Sequence, residues 1–304
     1  MFPIIPANSA TAASGRDTGI FGFGSASAIT NLISNAGVVA SDQAATTGQA
    51  RNGLGACEYG EDTGIFGFGN NGGNTSITNL VSNTGVVASD TANAAAGGYG
   101  CAACAYGEDK GIFAFRYDEG NFALSTKVSN AGVLASDTAA VGTARKGTAA
   151  CEYGEDKGIF AYGSTKYVYS GGVVSMSNKV SNVGVVASDV SGVGSARDAP
   201  AACSFGEDEG IFGFGWMNGS SGSATNLVSN TGVISSDTAG VGTARGYLAA
   251  TQYDGDKGIF GFGMPAWAAG ATNITNLVSN TGVVASDQAA TTGTSRYYLA
   301  ACSL

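Results

Sequence analysis

The sequence predicts an all-β fold, a six-bladed β-propeller with four antiparallel strands per blade, its ring closed by the C-terminal strand pairing into the first blade. Three observations predict it. One phrase recurs at Asp17 (DTGIFGFG), Asp62 (DTGIFGFG), Asp109 (DKGIFAFR), Asp156 (DKGIFAYG), Asp208 (DEGIFGFG) and Asp256 (DKGIFGFG), with spacings of 45, 47, 47, 52 and 48 residues. A period of this size marks a repeat architecture. A second phrase, of the type SNTGVVASD, follows each copy, and no segment carries the 3.6-residue apolar period of a helix. Finally, each repeat divides into four short apolar runs separated by turn chemistry, the pattern of a propeller blade.

The first run is Ala-Ala-Cys-x-Tyr/Phe, as in Ala149–Tyr153. The Gly-Glu-Asp-Lys-Gly turn that follows, residues 154–158, suits a type I turn with a G1 bulge at its closing glycine. The second run is Gly-Ile-Phe-x-Phe/Tyr, whose two aromatics are two residues apart and so predicted to share one face. A loop of variable length leads to the third run, Thr-Asn-Leu-Val-Ser-Asn at 225–230, and Asn-x-Gly then signals a tight hairpin. The fourth run is Val-Val-Ala-Ser-Asp, as at 86–90, followed by a Gly- and Ala-rich connection that ends in Arg. At the chain ends the pattern is incomplete. Residues 297–302 read as a first strand with no second strand after it, and the phrase at Asp17 is a second strand with a poor first strand before it. The two halves are expected to complete one blade. Residues 1–16 are read as an N-terminal arm and 17–304 as one domain.

Composition narrows the function classes. Glycine is abundant, at 49 of 304 residues, without the every-third spacing of collagen, and the 44% apolar content supports a packed core. A net charge of −9 argues against tracking a nucleic-acid backbone. No run of 18 apolar residues predicts a membrane span, and the start MFPIIPA lacks the basic and apolar regions of a secretory signal. Histidine is absent, which removes His-based triads and the commonest zinc ligand. Cys57, Cys104, Cys151, Cys203 and Cys302 share one repeat slot, with Thr251 in the remaining copy. They are expected to be reduced packing residues, and the lone Cys101/Cys104 pair to bind no metal.

Arg245-Gly-Tyr-Leu-Ala-Ala followed by Gly258-Ile-Phe-Gly-Phe-Gly263 resembles a divergent kelch repeat, in which an Arg and small apolar residues form the inner strand and an apolar strand ends in glycines. Kelch blades also carry a Gly-Gly pair and a Trp in the last strand, whereas this chain has Gly-x-Gly and places Trp216 and Trp267 elsewhere. The Gly-Ile-Phe-Gly-Phe-Gly and Asn-Leu-Val-Ser-Asn-Thr-Gly-Val-Val-Ala-Ser-Asp phrases are similar to those of uncharacterised repeat proteins of bacteriophages and environmental bacteria. That resemblance implies a role in a virion or a surface structure and brings no known active site.

Hairpin order sorts the turns onto two ends. One end carries the acidic turns, with Asp62, Asp109, Asp156, Asp208 and Asp256 expected as an acidic ring. The ring could hold a cation or dock a basic partner, or the carboxylates could simply bond their own turn backbones. The Ser-Asp ending each fourth run (Asp42, Asp90, Asp137, Asp189, Asp237, Asp287) recurs with a following Arg (Arg51, Arg145, Arg197, Arg245, Arg296) that the second repeat lacks; ion pairs or Asp-to-backbone bonds are expected. The other end carries the variable loops 25–29, 70–77, 116–125, 164–177, 216–224 and 264–274, which hold Tyr117, Tyr167, Tyr169, Trp216 and Trp267. Aromatics on loops of a rigid scaffold serve as recognition anchors, though they can also fold back over blade edges.

No nucleophile–base pair, metal cluster or cofactor motif is legible. The expected function is therefore non-enzymatic: a structural or interaction module of a phage particle or extracellular surface assembly, with other protein subunits as partners. The alternative is a lectin-like module that binds surface glycan through the loop aromatics, and a glycan-active enzyme ranks last.

Overall fold

A computed structural model describes residues 16–43, 48–139, 142–166, 172–266, 268–288 and 293–304. The described residues are all-β, with antiparallel pairing throughout and no helix. In chain order the strands are β1 (Gly19–Gly22), β2 (Thr30–Ile33), β3 (Gly55–Tyr59), β4 (Thr63–Gly67), β5 (Thr78–Val81), β6 (Ala102–Tyr106), β7 (Lys110–Tyr117), β8 (Asn121–Val128), β9 (Thr138–Ala139), β10 (Ala149–Tyr153), β11 (Lys157–Ala161) and β12 (Ser177–Val180). They continue as β13 (Ala201–Phe205), β14 (Glu209–Gly213), β15 (Trp216–Met217), β16 (Ser220–Ser221), β17 (Thr225–Val228), β18 (Ala249–Tyr253), β19 (Lys257–Gly261), β20 (Thr275–Val278) and β21 (Ala300–Ser303). Each repeat forms one sheet: β3-β4-β5, β6-β7-β8-β9, β10-β11-β12, β13-β14-β17 and β18-β19-β20. The chain ends share the remaining main sheet, β2-β1-β21, with Gly19 opposite Ser303 and Gly22 opposite Ala300. The expected union of the orphan C-terminal strand with the first repeat is thus present.

The first strands of successive sheets lie side by side: β3 against β6, β6 against β10, β10 against β13, β13 against β18, β18 against β21 and β21 against β3. Together they line a narrow cavity of about 50 Å³, walled by residues such as Ala56, Ala103, Ala150, Ala202, Ala250 and Ala301. Small residues are required because first strands from all the main sheets converge there. The cysteines point the other way, towards the neighbouring sheet. A Cβ at Gly111, Gly158, Gly210 or Gly258 would lie 2.5–2.6 Å from Sγ of Cys57, Cys104, Cys151 or Cys203, so the glycine opening each second strand makes room for a thiol. All six cysteines are free and buried, and burial pushes their pKa values up, for Cys203 to about 12. Inert packing thiols are the result.

Three local expectations need correction. The fourth run is not a regular strand. Val87 and Thr91 bridge to Val81 and Thr78 at the two ends of the run, and β9 is its longest ladder at two residues. In the gap, the side-chain amide of Asn79 donates to the Ala88 carbonyl at 3.0 Å and to Asp90 at 2.9 Å, so a carboxamide replaces part of the ladder. The tight turn also differs. Its left-handed residues are the first two, Gly154 (φ 58°) and Glu155 (φ 68°), while Gly158 lies within β11.

The third correction concerns the aromatics. The second aromatic of every GIFxF phrase is left-handed: Phe23, Phe68, Phe115, Tyr162, Phe214 and Phe262 have φ of 53–65°. The twist turns the two rings to opposite faces of their sheet. Phe21 packs edge-to-face on Phe262 of the preceding sheet, while Phe23 packs on Phe66 of the following one. The same edge-to-face contact, at 5.1–5.6 Å, recurs at the other junctions. A left-handed bulky residue costs about 1–2 kcal/mol, so these positions need compensation.

Buried arginines provide it. Arg51, Arg116, Arg145, Arg197, Arg245 and Arg296 are 0–1% exposed. Each guanidinium lies 4.0–4.6 Å from the centre of a left-handed ring in the preceding sheet. It then crosses to the next sheet. Arg51, for instance, donates to the Phe68 carbonyl at 2.8 Å and to Asn79 Oδ1 at 2.7 Å, and faces Asp90 at 4.0 Å. The Asp also accepts backbone amides from the connecting segment, as Asp189 does from Thr143. The fourth-run Asp thus pairs with the arginine that precedes its repeat rather than with the expected following one, as Asp90 does with Arg51, and its backbone bonds are likewise non-local; both tie neighbouring sheets together. Burial pulls Arg51, Arg145, Arg245 and Arg296 down to about 10, which leaves them charged at neutral pH.

The missing arginine of the second repeat is replaced from another position. Gly98 occupies the slot filled elsewhere by Arg145, and Arg116 occupies the slot filled elsewhere by Gly163. Arg116 lies over Phe68, pairs with Asp137 at 2.6 Å and donates to Thr126 at 3.0 Å. A Cβ at Gly98 would sit 2.8–3.1 Å from the Arg116 stem, so the two positions have exchanged residues. Removing one partner of a buried pair costs about 3–5 kcal/mol. Arg116→Gly should lose that much in urea unfolding, and adding Gly98→Arg should recover most of it; purely additive losses would contradict the exchange.

Candidate functional site

The scaffold residues repeat, so a site that acts once per molecule must lie where the repeats differ. Two residues beyond each arginine slot, which Gly98 fills in the second repeat, the backbone turns left-handed at Gly53, Gly100, Gly147, Ala199, Tyr247 and Tyr298. Their amides form a closed cycle: Gly53 donates to Tyr298, Tyr298 to Tyr247, Tyr247 to Ala199, Ala199 to Gly147, Gly147 to Gly100, and Gly100 to Gly53, at 2.7–3.1 Å. Between arginine and cycle stands one residue per repeat, and here the uniformity ends: Asn52, Tyr99, Lys146, Asp198, Gly246 and Tyr297. Each of the first five bridges to a second varied residue, namely Asn70, Tyr117, Ser164, Trp216 and Met264. Tyr297 instead exchanges hydrogen bonds with Ser25.

On one side of the cycle these residues leave a pocket of about 450 Å³ lined by Asn52, Gly53, Asn70, Asn74, Tyr99, Tyr117, Glu119, Tyr297 and Tyr298. Tyr99 and Tyr117 pack edge-to-face at 5.4 Å, with Lys146 Nζ 5.2 Å from the Tyr117 ring centre. Tyr298 packs on Tyr297 at 5.3 Å and on Tyr247 at 4.1 Å. Asn70 Nδ2 donates to Asn74 Oδ1 at 2.9 Å, and Asn74 Nδ2 donates to Asp118 at 2.8 Å, which fixes the orientation of both carboxamides. Asn52 Oδ1 accepts the Ala26 amide at 2.6 Å. The pocket therefore presents ring faces and edges beside amide and carboxylate groups.

Lys146 and Asp198 occupy adjacent slots on the neighbouring arc, and both are buried. Burial pushes Asp198 up to about 6, against the opposing pull of Lys146, and burial lowers Lys146. Asp198 Oδ1 has no hydrogen-bond partner among the described residues and lies where a Cβ on Gly147 would come within 1.8 Å.

Of the predicted anchors, Tyr117 lines the pocket. Trp216 is only 8% exposed and belongs to a packed cluster with Ala199, Tyr247 and Met264. The physical reason is Gly246, whose missing side chain admits the indole: a Cβ there would lie 2.1 Å from Trp216 Cδ1. Trp216 is thus a wall residue rather than a loop-tip anchor. Tyr167, Tyr169 and Trp267 lie outside the described residues. Sequence reasoning missed Asn52, Asn70, Asn74, Tyr99, Glu119, Tyr297 and Tyr298; comparing the repeats slot by slot would have found Asn52, Tyr99 and Tyr297.

The acidic residues Asp62, Asp109, Asp156, Asp208 and Asp256 bond to other turns rather than to their own turn backbones. The carboxylates of Asp62, Asp109, Asp156 and Asp256 accept side-chain amides from Asn83, Asn130, Asn182 and Asn280 at 2.9–3.0 Å. The backbone carbonyls of Asp109, Asp156, Asp208 and Asp256 accept the glycine amide of the preceding sheet's turn at 2.7–2.8 Å. Lys110 and Lys157 pair with Asp109 and Asp156, and these bonds hold both carboxyls below their usual range. Among the described residues no three Cys, Asp or Glu side chains converge as metal ligands. No described helix is long and apolar enough to cross a membrane.

No family model matches the chain, and no curated protein matches it. Among solved structures it is similar to one titled "Structure of YjhT", at 13% identity and a TM-score of 0.64, over 90% of this chain and 94% of that one. At that identity the likeness speaks to the fold alone.

Asp198 yields a test by titration. Its folded pKa, about 6, stands above the ordinary 3.8, so the folded state holds the proton longer than the unfolded chain. The corresponding stability is complete below pH 3.8 and is lost as pH rises to about 6, a difference on the order of 3 kcal/mol. Asp198→Asn should flatten this decline in unfolding experiments across the acid range; an unchanged slope would contradict the assignment.

Proposed function

We propose that the chain is a closed six-bladed β-propeller, kelch-like in architecture, that binds a glycan without catalysis at the varied mouth of its central channel. The cycle of six amide bonds, the sequence of neighbouring first strands and the β1–β21 pairing support closure. One observation carries the ligand class: the 450 Å³ pocket gathers Tyr99, Tyr117, Tyr297 and Tyr298 beside Asn52, Asn70, Asn74 and Glu119. Ring faces accommodate the apolar C–H faces of a sugar, while carboxamides and a carboxylate exchange hydrogen bonds with its hydroxyls. Because these residues do not recur around the mouth, the site is single and directional.

A second reading is favoured by a different surface. Val38, Val86, Val133, Val185, Val233 and Val283, one from each third-to-fourth turn, are 59–66% exposed. A set of apolar side chains repeated around the acidic end supports contact with other subunits of a phage particle or extracellular surface assembly. The two readings are compatible, with one end seated in an assembly and the other presented to glycan.

Glycan-array binding followed by titration of the best ligand tests the first reading. Tyr117→Ala should weaken binding roughly thirtyfold, about 2 kcal/mol, with little change in melting temperature. Val133→Ser should leave affinity unchanged. Retention of no glycan, or full affinity in Tyr117→Ala, would contradict the pocket assignment.

A further inference from the structure

The opposite mouth of the channel has its own asymmetry. The residue after the cysteine slot is Glu58, Ala105, Glu152, Ser204, Gln252 and Ser303 in successive first strands. Long polar side chains thus stand on alternate sheets, with small ones between. Glu58, Glu152 and Gln252 line the channel cavity.

Arg16 reaches this cluster from outside the repeats. Its Nε lies 2.5 Å from Glu58 Oε2 and its Nη1 lies 2.6 Å from Glu152 Oε2, while Nη1 also donates to Gln252 Oε1 at 3.3 Å. Ser303 Oγ donates to Glu58 Oε1 and orients that carboxylate. The backbone is fastened too. Carbonyls of Arg16 and Asp17 accept the Gly255 and Asp254 amides at 3.1 Å. Glu152 is buried, and its Oε1 has no hydrogen-bond partner among the described residues, so acceptor capacity remains in the site. Burial pushes Glu152 up to about 7, with Arg16 pulling against that rise and Glu58 adding to it.

The acceptors come from three directions around the channel axis. A planar guanidinium places donors on separate nitrogens and can address two carboxylates and a carboxamide together, whereas an ammonium concentrates its donors on one atom. We propose that Glu58, Glu152 and Gln252 form a guanidinium-binding site at the acidic-turn mouth, filled by Arg16 in cis and able to take a guanidinium group supplied in trans. The site is independent of the glycan pocket, which lies at the other mouth.

Chemical rescue of full-length Arg16→Ala at pH 8 tests this, with thermal unfolding as the readout. The variant should melt below the native protein, because two carboxylates then face each other without their cation. Millimolar methylguanidinium should raise its melting temperature by about 3 °C or more, while methylammonium at equal ionic strength should not. The native protein, its site occupied, should not respond. Rescue should vanish in Arg16→Ala/Glu152→Gln. Should Arg16→Ala be recovered only unfolded, its refolding yield from urea must rise severalfold with methylguanidinium over methylammonium. Equal effects of the two cations, no effect of either, or rescue that survives Glu152→Gln would overturn the proposal.

Discussion

A guanidinium buried between two sheets, its face on an aromatic ring of one and its donors on the carbonyl, carboxamide and carboxylate of the other, is the contact on which this molecule depends. The second-strand aromatics can adopt left-handed backbone because their rings are clamped on both sides, by the neighbouring aromatic and by the arginine. Four of their carbonyls, those of Phe68, Tyr162, Phe262 and Phe23, accept the Nε–H of the arginine at that sheet's other junction. In those four repeats one strained residue thus serves two junctions. Hydrogen bonds to charged groups contribute about 1.5–3 kcal/mol each, enough to offset a strain of about 1–2 kcal/mol. The exchange of Arg116 with Gly98 shows how strict the need is: the sequence position moves, and the guanidinium stays over Phe68.

The repeat, the strands of each sheet and the pairing of the chain ends were legible because they rest on local periodicity and turn chemistry. Three features were not. The fourth run looks like a strand in composition, yet Asn79 diverts the Ala88 carbonyl from the ladder, and no propensity encodes that. Strict alternation puts the aromatics of GIFGF on one face, and a single left-handed residue reverses that. The second repeat's arginine stands outside its own slot, at a position other repeats give to glycine. For the site, Tyr117 was legible as a loop aromatic, whereas Tyr99 and Tyr297 sit in connections that read as spacers. Trp216, expected like Trp267 as a loop anchor, is packed away, because Gly246, 30 residues on, leaves room for its indole.

Uniform junctions and varied mouths divide the work of the chain. At the junctions a substitution must be answered across the interface, as Gly98 answers Arg116. At the mouths, one residue per repeat is released from that constraint, and the slots diverge into Asn52, Tyr99, Lys146, Asp198, Gly246 and Tyr297 at one end and Glu58, Glu152 and Gln252 at the other. In the proposed glycan site, the sheets hold such unlike side chains in fixed positions for recognition of a small, directional ligand.

Native-state hydrogen exchange of the cycle amides tests the central claim most directly. If buried guanidiniums weld the sheets into one cooperative ring, the amides of Gly53, Gly100, Gly147, Ala199, Tyr247 and Tyr298 will exchange together, through the same opening that unfolds the whole chain. Graded protection, with amides of some sheets exchanging through openings that leave the others closed, would contradict it.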